Sequence, residues 1–215
     1  MTQKNCRVVV LISGEGSNLQ TLIDESAQGT LPVSIEAVIS NRPDAGGLKR
    51  AQRANIPTHI IDHTEFSDRY SFDIQIIDAI LKYNPDLVIL AGYMRIMTPD
   101  LVNRFSGRMI NIHPSLLPKY PGLKTHQRAL ENGDSEHGST VHFVTEVLDG
   151  GPVIAQSKLN ITNDDNETTL IQKIKRLEHK LYPHVIQWFA DNRLALRDNQ
   201  TYFDGEKLQH PIIIE

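Results

Sequence analysis

The sequence of 215 residues has little of what marks the special classes of protein. Cys6 is its only cysteine, so an intramolecular disulfide is excluded and a reducing, cytoplasmic compartment is expected. No secretory signal peptide is visible, and no apolar run approaches the roughly 18 residues that a membrane span needs. The 22 Lys and Arg residues are outnumbered by 26 Asp and Glu residues, and no basic stripe appears, which argues against binding to nucleic acid.

The composition that remains is ordinary for a globular protein. Hydrophobic residues make up 40% of the chain and charged residues 22%, and we find no internal repeat or low-complexity tract. The length fits one domain, which we expect to consist of an N-terminal half, residues 1–105, and a C-terminal half, residues 106–215.

Hydrophobic periodicity predicts an α/β fold. Continuous apolar runs such as Arg7–Ser13 and Asp86–Ala91 are typical of strands that are buried on both faces of a parallel sheet. Helical patterns alternate with these strands, including a long helix over Phe66–Tyr83. We therefore expect an open, mostly parallel, twisted sheet with helices on both faces, a Rossmann-like arrangement that becomes a mixed sheet in the C-terminal half. The further strands are predicted at Val33–Ser40, Thr58–Ile61, Met109–His113, Gly138–Thr145 and Pro152–Ile161.

The end of the chain is less regular. After a predicted helix over Leu170–Phe189, two short strand-like pieces occur within Leu194–Leu208, around an Asp-Gly turn. The apolar segment Ile212–Ile214 either packs on a neighbouring element or frays.

A glycine-containing loop leaves the first strand and opens the first helix. Gly16 allows the backbone to approach a ligand, and Ser17 and Asn18 add side-chain donors beside the free amides of the helix N-terminus, a combination that suits a phosphate. The loop is not a dinucleotide fingerprint, because Leu19 stands where the third glycine would be. A tight turn with Ser17 as a helix cap is the alternative interpretation.

Asn111 and His113 lie at the end of a predicted strand, which Pro114 terminates. Residues two apart point to the same face of a strand, and ligands of open α/β sheets bind where the strands end. An amide that donates to an oxyanion and an imidazole that moves a proton are a useful pair for acyl transfer. The alternative is a strand end with two satisfied polar residues.

Asp149 lies in the segment Asp149–Pro152, which by itself reads as a turn between strands. The turn gains a chemical meaning if Asp149 faces His113, because a nearby carboxylate favours an imidazolium.

Other polar residues give weaker signals. His126, His137 and His142 invite a metal interpretation, but no known ligand spacing accompanies them, and we expect no metal. Arg69 and Arg95 suit carboxylate recognition, with surface salt bridges as the alternative. From its place off the apolar stripe of the last helix, Glu178 is expected to be solvated.

Three segments together resemble one family. They are VVVLISGEGSNLQ from Val8, LAGYMRIMTP from Leu90, and the run from Asn111 to Gln156 that contains HPSLLP and DGGP. In this combination and order the chain resembles the glycinamide ribonucleotide formyltransferases, members of the folate-dependent formyltransferase family, from Val8 to about Asp204.

The resemblance implies transfer of a formyl group from the cosubstrate 10-formyltetrahydrofolate to the amine of glycinamide ribonucleotide, in purine biosynthesis. The N-terminal half would hold the phosphate, and the C-terminal half would contribute the folate site. No nucleic acid, membrane or metal is implied, and the chain is expected to be a monomer or a homodimer. The implied catalytic residues are Asn111, His113 and Asp149. The implied ribonucleotide contacts are Gly16, Ser17, Asn18 and Glu178. The implied folate contacts are Arg69, Met94, Arg95, Ile96, Met97, Asn111, Val144 and Leu148.

Three rival functions differ from this one in their sequence requirements. Methionyl-tRNA formyltransferase shares HPSLLP and DGGP but adds a tRNA-binding domain and has no need of the GSNL loop. Formyltetrahydrofolate hydrolase usually adds an N-terminal regulatory domain, for which a first strand that begins near Cys6 leaves no room. A non-catalytic sensor of a phosphorylated metabolite or of folate would use the same pockets, but it would not need Asn111, His113 and Asp149 together.

Overall fold

A computed structural model describes residues 5–215. They form two compact units, one that ends at Ile110 and one that covers Asn111–Glu215. The main sheet has eight strands and is mixed but mostly parallel, which confirms the predicted α/β fold class. Within residues 5–215, no helix is both long enough and apolar enough to cross a membrane.

The first unit is built from parallel strands that alternate with helices. The strand Cys6–Ile12 (β1) pairs in parallel with two others, and its residues Val8–Ile12 have no exposed surface. This burial explains why the strand reads as an unbroken apolar run rather than as an alternating one. The other strands of the unit, in chain order, are Val33–Ser40 (β2), Thr58–Ile60 (β3) and Leu87–Leu90 (β4), and the hydrogen-bonded order is β4-β1-β2-β3. The helices of the unit are Ser17–Gln28 (α1), Gly46–Arg53 (α2), Arg69–Leu81 (α3) and Pro99–Arg104 (α4).

The strand Met109–His113 (β5) carries the chain from the first unit into the second. The second unit contains two antiparallel strands, Glu136–Phe143 (β6) and Val153–Asn160 (β7). Their pairing confirms the mixed sheet that the sequence predicted for the C-terminal half. Two helices belong to this unit, Thr125–Glu131 (α5) and Glu167–Ala190 (α6). Asn166 caps α6 by accepting the Thr169 amide in a reciprocal capping box, so the helix begins three residues before the predicted Leu170.

Helix α3 begins later than its periodicity predicted. The carboxylate of Asp68 accepts the Ser71 amide at 2.8 Å, which fixes Asp68 as the N-cap and Arg69 as the first helical residue. The residues just before this cap are not α-helical, and they follow a single 3₁₀ turn, His63–Glu65. Because the helix begins at Arg69, the predicted start at Phe66 was wrong by three residues.

The C-terminal segment is more ordered than its sequence indicated. Leu194–Arg197 (β8), Gln200–Phe203 (β9) and Glu206–Lys207 (β10) form a separate antiparallel sheet of three strands instead of the two predicted pieces. Ile212–Ile213 (β11) pairs in parallel with β7, and the Ile214 amide donates to the Gln156 carbonyl. Of the two alternatives for the apolar end, packing on a neighbouring strand is therefore correct.

Candidate active site

The end of β5 presents two polar side chains in the second unit. His113 is buried, and Asn111 is half-buried. The Nε2 atom of His113 lies 2.8 Å from the Tyr120 carbonyl, and its Nδ1 atom lies 3.4 Å from Oδ2 of Asp149. Both ring nitrogens thus face oxygen acceptors, a backbone carbonyl on one side and a carboxylate on the other.

Asp149 reaches His113 because the turn between β6 and β7 has an unusual backbone. The φ of Asp149 is 50°, a left-handed conformation that aspartate tolerates better than most residues do. The side chain is only 9% exposed, and Oδ2 accepts the Gly122 amide at 2.8 Å. Gly151 is required in the same turn, because a Cβ there would collide with the Phe143 carbonyl. The Asp-Gly-Gly sequence is therefore a means of presenting a buried carboxylate as well as a way of turning the chain.

His142 joins this cluster in a role that the sequence did not indicate. Its Nδ1 atom donates to the Phe143 carbonyl at 2.9 Å, so Nε2 is the acceptor face of the ring and lies 3.2 Å from Nδ2 of Asn111. Burial lowers the pKa of His142, which keeps the ring neutral. The neutral imidazole accepts one amide hydrogen of Asn111 and leaves the second for another acceptor. Strand alternation in β6 was the only available signal for this role.

The segment after β5 holds His113 from the other side. Tyr120 has a left-handed φ of 56°, and its carbonyl is the acceptor for Nε2 of His113. The Tyr120 hydroxyl donates to Asp134 at 2.8 Å and accepts from Asn132 at 2.8 Å, and the Arg128 guanidinium lies over the ring. These contacts fix the position of the carbonyl, and with it the tilt of the imidazole.

Glu178 does not lie in solvent. The side chain is buried on α6 and accepts the Ser139 hydroxyl at 3.1 Å, while the same hydroxyl lies 2.8 Å from the His113 carbonyl. The expectation of a solvated Glu178 was wrong because the buried face of α6 is wider than its apolar stripe.

The glycine loop of the first unit leads from β1 into α1. Gly16 is the N-cap of α1 with a left-handed φ of 76°, and the half-buried Ser17 and Asn18 form the first residues of the helix. Glu15, which adds a negative charge to the loop, has its side chain 64% exposed and 3.6 Å from the Arg50 guanidinium. The charge is thus screened by water and by a cation.

Gly16→Ala is expected to destabilise the protein by about 3 kcal/mol, because a left-handed alanine is strained and the new methyl group overpacks the site. The added Cβ would meet the Gly47 Cα at 2.6 Å. Gly29→Ala is the matched control, since Gly29 ends the same helix with a φ of 75° and open space around it, and it should cost about 1 kcal/mol. Urea unfolding of both variants measures the difference, and equal losses would contradict the packing argument.

The residues implied in folate binding occupy two segments, one in each unit. In the first unit, Met94 is 66% exposed and Ile96 is 49% exposed in an irregular segment after β4, while Arg95 lies with its guanidinium over Phe72. Met97 is half-buried in the same segment, and Arg69 is exposed at the start of α3. In the second unit, Val144 is buried and Leu148 is 50% exposed.

His126 and His137 contact each other through their ring nitrogens. Nε2 of His137 lies 3.1 Å from Nδ1 of His126. No group of three or more histidine, cysteine or acidic side chains within residues 5–215 has the arrangement of a metal site. Burial lowers the pKa of each imidazole from 6.5 to about 4.

The histidine pair predicts a loss of stability in acid. Each imidazole takes up a proton near pH 6.5 in the unfolded chain but only near pH 4 in the folded protein. Between these values the unfolded state binds more protons, so the free energy of unfolding falls as the pH falls. We expect the melting temperature of His126→Gln to change less steeply over this range than that of the wild type. If the melting temperatures of the two proteins change in parallel with pH, the lowered pKa values of the histidine pair are contradicted.

Comparison with known proteins identifies the family. A formyl transferase family model matches residues 6–186. The phosphoribosylglycinamide formyltransferases of Escherichia coli and Haemophilus influenzae are 51% and 48% identical to this chain, over 94% of it and 95% of each relative. The solved structure of phosphoribosylglycinamide formyltransferase from Coxiella burnetii has a TM-score of 0.94 at 51% identity, and the match covers 98% of this chain and 100% of that one. The resemblance seen in the motifs is confirmed: the chain is a transferase that belongs to the formyl transferase family.

Proposed function

We propose that this enzyme transfers a formyl group from 10-formyltetrahydrofolate to the amine of glycinamide ribonucleotide, a step of purine biosynthesis that yields the N-formyl product and tetrahydrofolate. The observation that carries the proposal is the buried cluster of Asn111, His113 and Asp149 in a chain that is 51% identical to a named phosphoribosylglycinamide formyltransferase. His113 lies 3.4 Å from Asp149, and His142 lies 3.2 Å from Asn111 and 3.8 Å from Asp149. An amide, an imidazole and a carboxylate brought together in this way are suited to acyl transfer, whereas binding alone does not require them.

The ribonucleotide is assigned to the glycine loop and to Glu178. The amides at the start of α1 and the side chains of Ser17 and Asn18 would bind the phosphate, next to the left-handed N-cap Gly16. Glu178 would accept hydrogen bonds from ribose hydroxyls, and its contact with Ser139 supports this assignment because it fixes the carboxylate.

The folate is assigned to Met94, Ile96, Met97, Val144 and Leu148, with Asn111 at the formyl group. The exposed apolar members of this set support contact with a planar ring, which would remove them from water. Arg69 and Arg95 would bind carboxylates of the glutamate tail, for which guanidinium forks have the matching geometry.

The chemistry is a balanced acyl transfer. The amine nitrogen attacks the formyl carbon, the carbonyl electrons move onto oxygen, and collapse of the tetrahedral intermediate breaks the bond to the folate nitrogen. That nitrogen takes up the proton that the amine loses. Asn111 would donate its free amide hydrogen to the oxyanion, and His113 would supply the positive charge of an imidazolium held between Tyr120 and Asp149.

The proton would pass from the amine to the folate nitrogen by way of His113, Asp149 or a bound water. His142 is the remaining titratable group of the cluster, and its lowered pKa makes it a poor proton carrier near neutral pH. The proposed reaction draws its electrophilic assistance from Asn111 and His113 and calls for no metal. We place it in the cytoplasm, in keeping with a single cysteine, Cys6, that is buried and unpaired. The expectation of a monomer or a homodimer stays a prediction.

A spectrophotometric assay tests this function. The purified protein is given 10-formyltetrahydrofolate or its dideaza analogue, with and without glycinamide ribonucleotide. We expect deformylation of the folate only when the ribonucleotide is present. Deformylation without it would instead indicate a hydrolase, and binding of both ligands without turnover would indicate a sensor.

A further inference from the structure

The segment between β4 and α4, residues 91–98, contains no regular secondary structure. Two of its backbone amides are bound by side chains from elsewhere in the first unit. The Met94 amide donates to the Ser13 hydroxyl at 2.7 Å, and the Thr98 amide donates to Oδ2 of Asp73 at 2.6 Å. An irregular segment lacks the regular ladder that satisfies backbone donors, so these two side chains anchor it at Met94 and Thr98, in addition to its backbone contacts at Ala91 and Gly92.

Asp73 is an unusual residue for this position. It lies on α3 with only 1% of its surface exposed, whereas aspartate is rarely buried unless it is paired. Its Oδ1 atom has no hydrogen-bond partner among residues 5–215. Burial raises the pKa of the carboxyl group, while the Thr98 amide and then the charges of Arg69 and Arg95 oppose that shift. Burial of a carboxylate is costly, and its hydrogen bond to the Thr98 amide offsets part of that cost, a bond that an apolar residue could not make.

Helix α3 contacts the segment through two neighbouring residues. Asp73 holds the backbone at Thr98, and the Phe72 ring lies 5.5 Å from the Arg95 guanidinium carbon. Arg95 lies between the two anchored amides, so its side chain starts from a backbone that is fixed on both sides.

We propose that Asp73 is a positioning residue for folate recognition: by binding the Thr98 amide beside Arg69 and Arg95, it holds the Met94–Met97 segment in the shape that receives the folate. This inference rests on the proposed function, because the folate contacts belong to it. Ser13 acts as the second anchor, at the Met94 amide. Neither residue needs to touch the ligand for this role.

The test compares Asp73→Ala with Asp73→Asn. Asparagine keeps an oxygen that can accept the Thr98 amide, whereas alanine has none. We expect Asp73→Ala to weaken binding of 10-formyldideazafolate, measured by calorimetry, by about tenfold, as for the loss of a hydrogen bond to a charged group. Asp73→Asn should recover most of that affinity. The KM for the ribonucleotide should change little in either variant, which a general loss of structure would not allow.

Hydrogen exchange gives a second readout that does not depend on activity. The amides of residues 94–98 should exchange faster in Asp73→Ala than in the wild type, and Asp73→Asn should restore their protection. Asp78→Ala is the matched control, because Asp78 lies exposed on the same helix. If Asp73→Ala does not fold, Ser13→Ala removes the other anchor. It should also weaken binding of the folate analogue and speed exchange of the amides of residues 94–98, both to a smaller extent.

The outcomes separate this inference from the proposed function. Binding of the analogue without formyl transfer by the wild type would overturn the proposed function alone, and the Asp73 comparison would still hold. Unchanged analogue affinity in both Asp73→Ala and Ser13→Ala would overturn the positioning role. An equal weakening of both substrates, or exchange rates that match the wild type, would overturn it as well.

Discussion

Asp149→Asn is expected to lower kcat by about 10²–10⁴, the range for loss of a catalytic acid–base group. The carboxylate lies 3.4 Å from Nδ1 of His113 and accepts the Gly122 amide, and asparagine can replace only the second of these functions. The neutral side chain would place no negative charge beside the imidazole, and it would offer no base for the proton of the attacking amine. Steady-state formyl transfer at saturating substrates measures the effect.

The control for this variant is Asp164→Asn, the same chemical change at an exposed carboxylate outside the cluster. It should retain wild-type turnover, and both variants should melt as cooperatively as the wild type. Wild-type-like turnover in Asp149→Asn would remove Asp149 from the proposed mechanism. Loss of activity with loss of folding would also count against it, because the account assigns the carboxylate to chemistry.

His113→Ala should lower kcat by about 10²–10³, which is typical for removal of one group that stabilises an oxyanion. The imidazole lies between the Tyr120 carbonyl and the Asp149 carboxylate, so alanine removes the proposed positive charge and takes from the buried Tyr120 carbonyl its partner at 2.8 Å. A moderate fall in stability is expected as well, because buried acceptors without partners are costly. Rapid-quench measurement of the first turnover separates the chemical step from product release.

His210→Ala is the matched control, because His210 is an exposed histidine near the C-terminus. It should match the wild type in the rate of the first turnover and in stability. The double variant His113→Ala, Asp149→Asn should be scarcely slower than the slower single variant, since residues that act as one unit are not additive. If the rate losses of the two single variants multiply in the double variant, the two residues act independently, and the proposed cooperation of His113 with Asp149 is contradicted.

The pair of Asn111 and His113 could be predicted because it depends on local rules. Strand alternation places residues two apart on one face, and Pro114 ends the strand, so the sequence alone indicates where these side chains point. The contact of His113 with Asp149 depends instead on a turn 36 residues later and on the left-handed backbone of Asp149. The sequence predicted a turn there, and the structure shows the carboxylate facing the imidazole.

Other features could not be predicted because they arise from distant or backbone contacts. The role of His142 depends on its hydrogen bond to Asn111 across two strands, and that of Tyr120 depends on a carbonyl, a group that every residue carries. The burial of Glu178 follows from packing that helical periodicity does not encode. The pairing of β11 with β7 involves only two residues, too few for a pattern to identify.

In the proposed reaction the formyl group moves from the folate to the amine of the ribonucleotide. A single experiment supplies 10-formyltetrahydrofolate with a ¹³C-labelled formyl carbon and follows the label by NMR. We expect the label to appear in the formamide of the ribonucleotide product, in equal amount to the tetrahydrofolate released. Label recovered as free formate would show that the enzyme hydrolyses the folate instead.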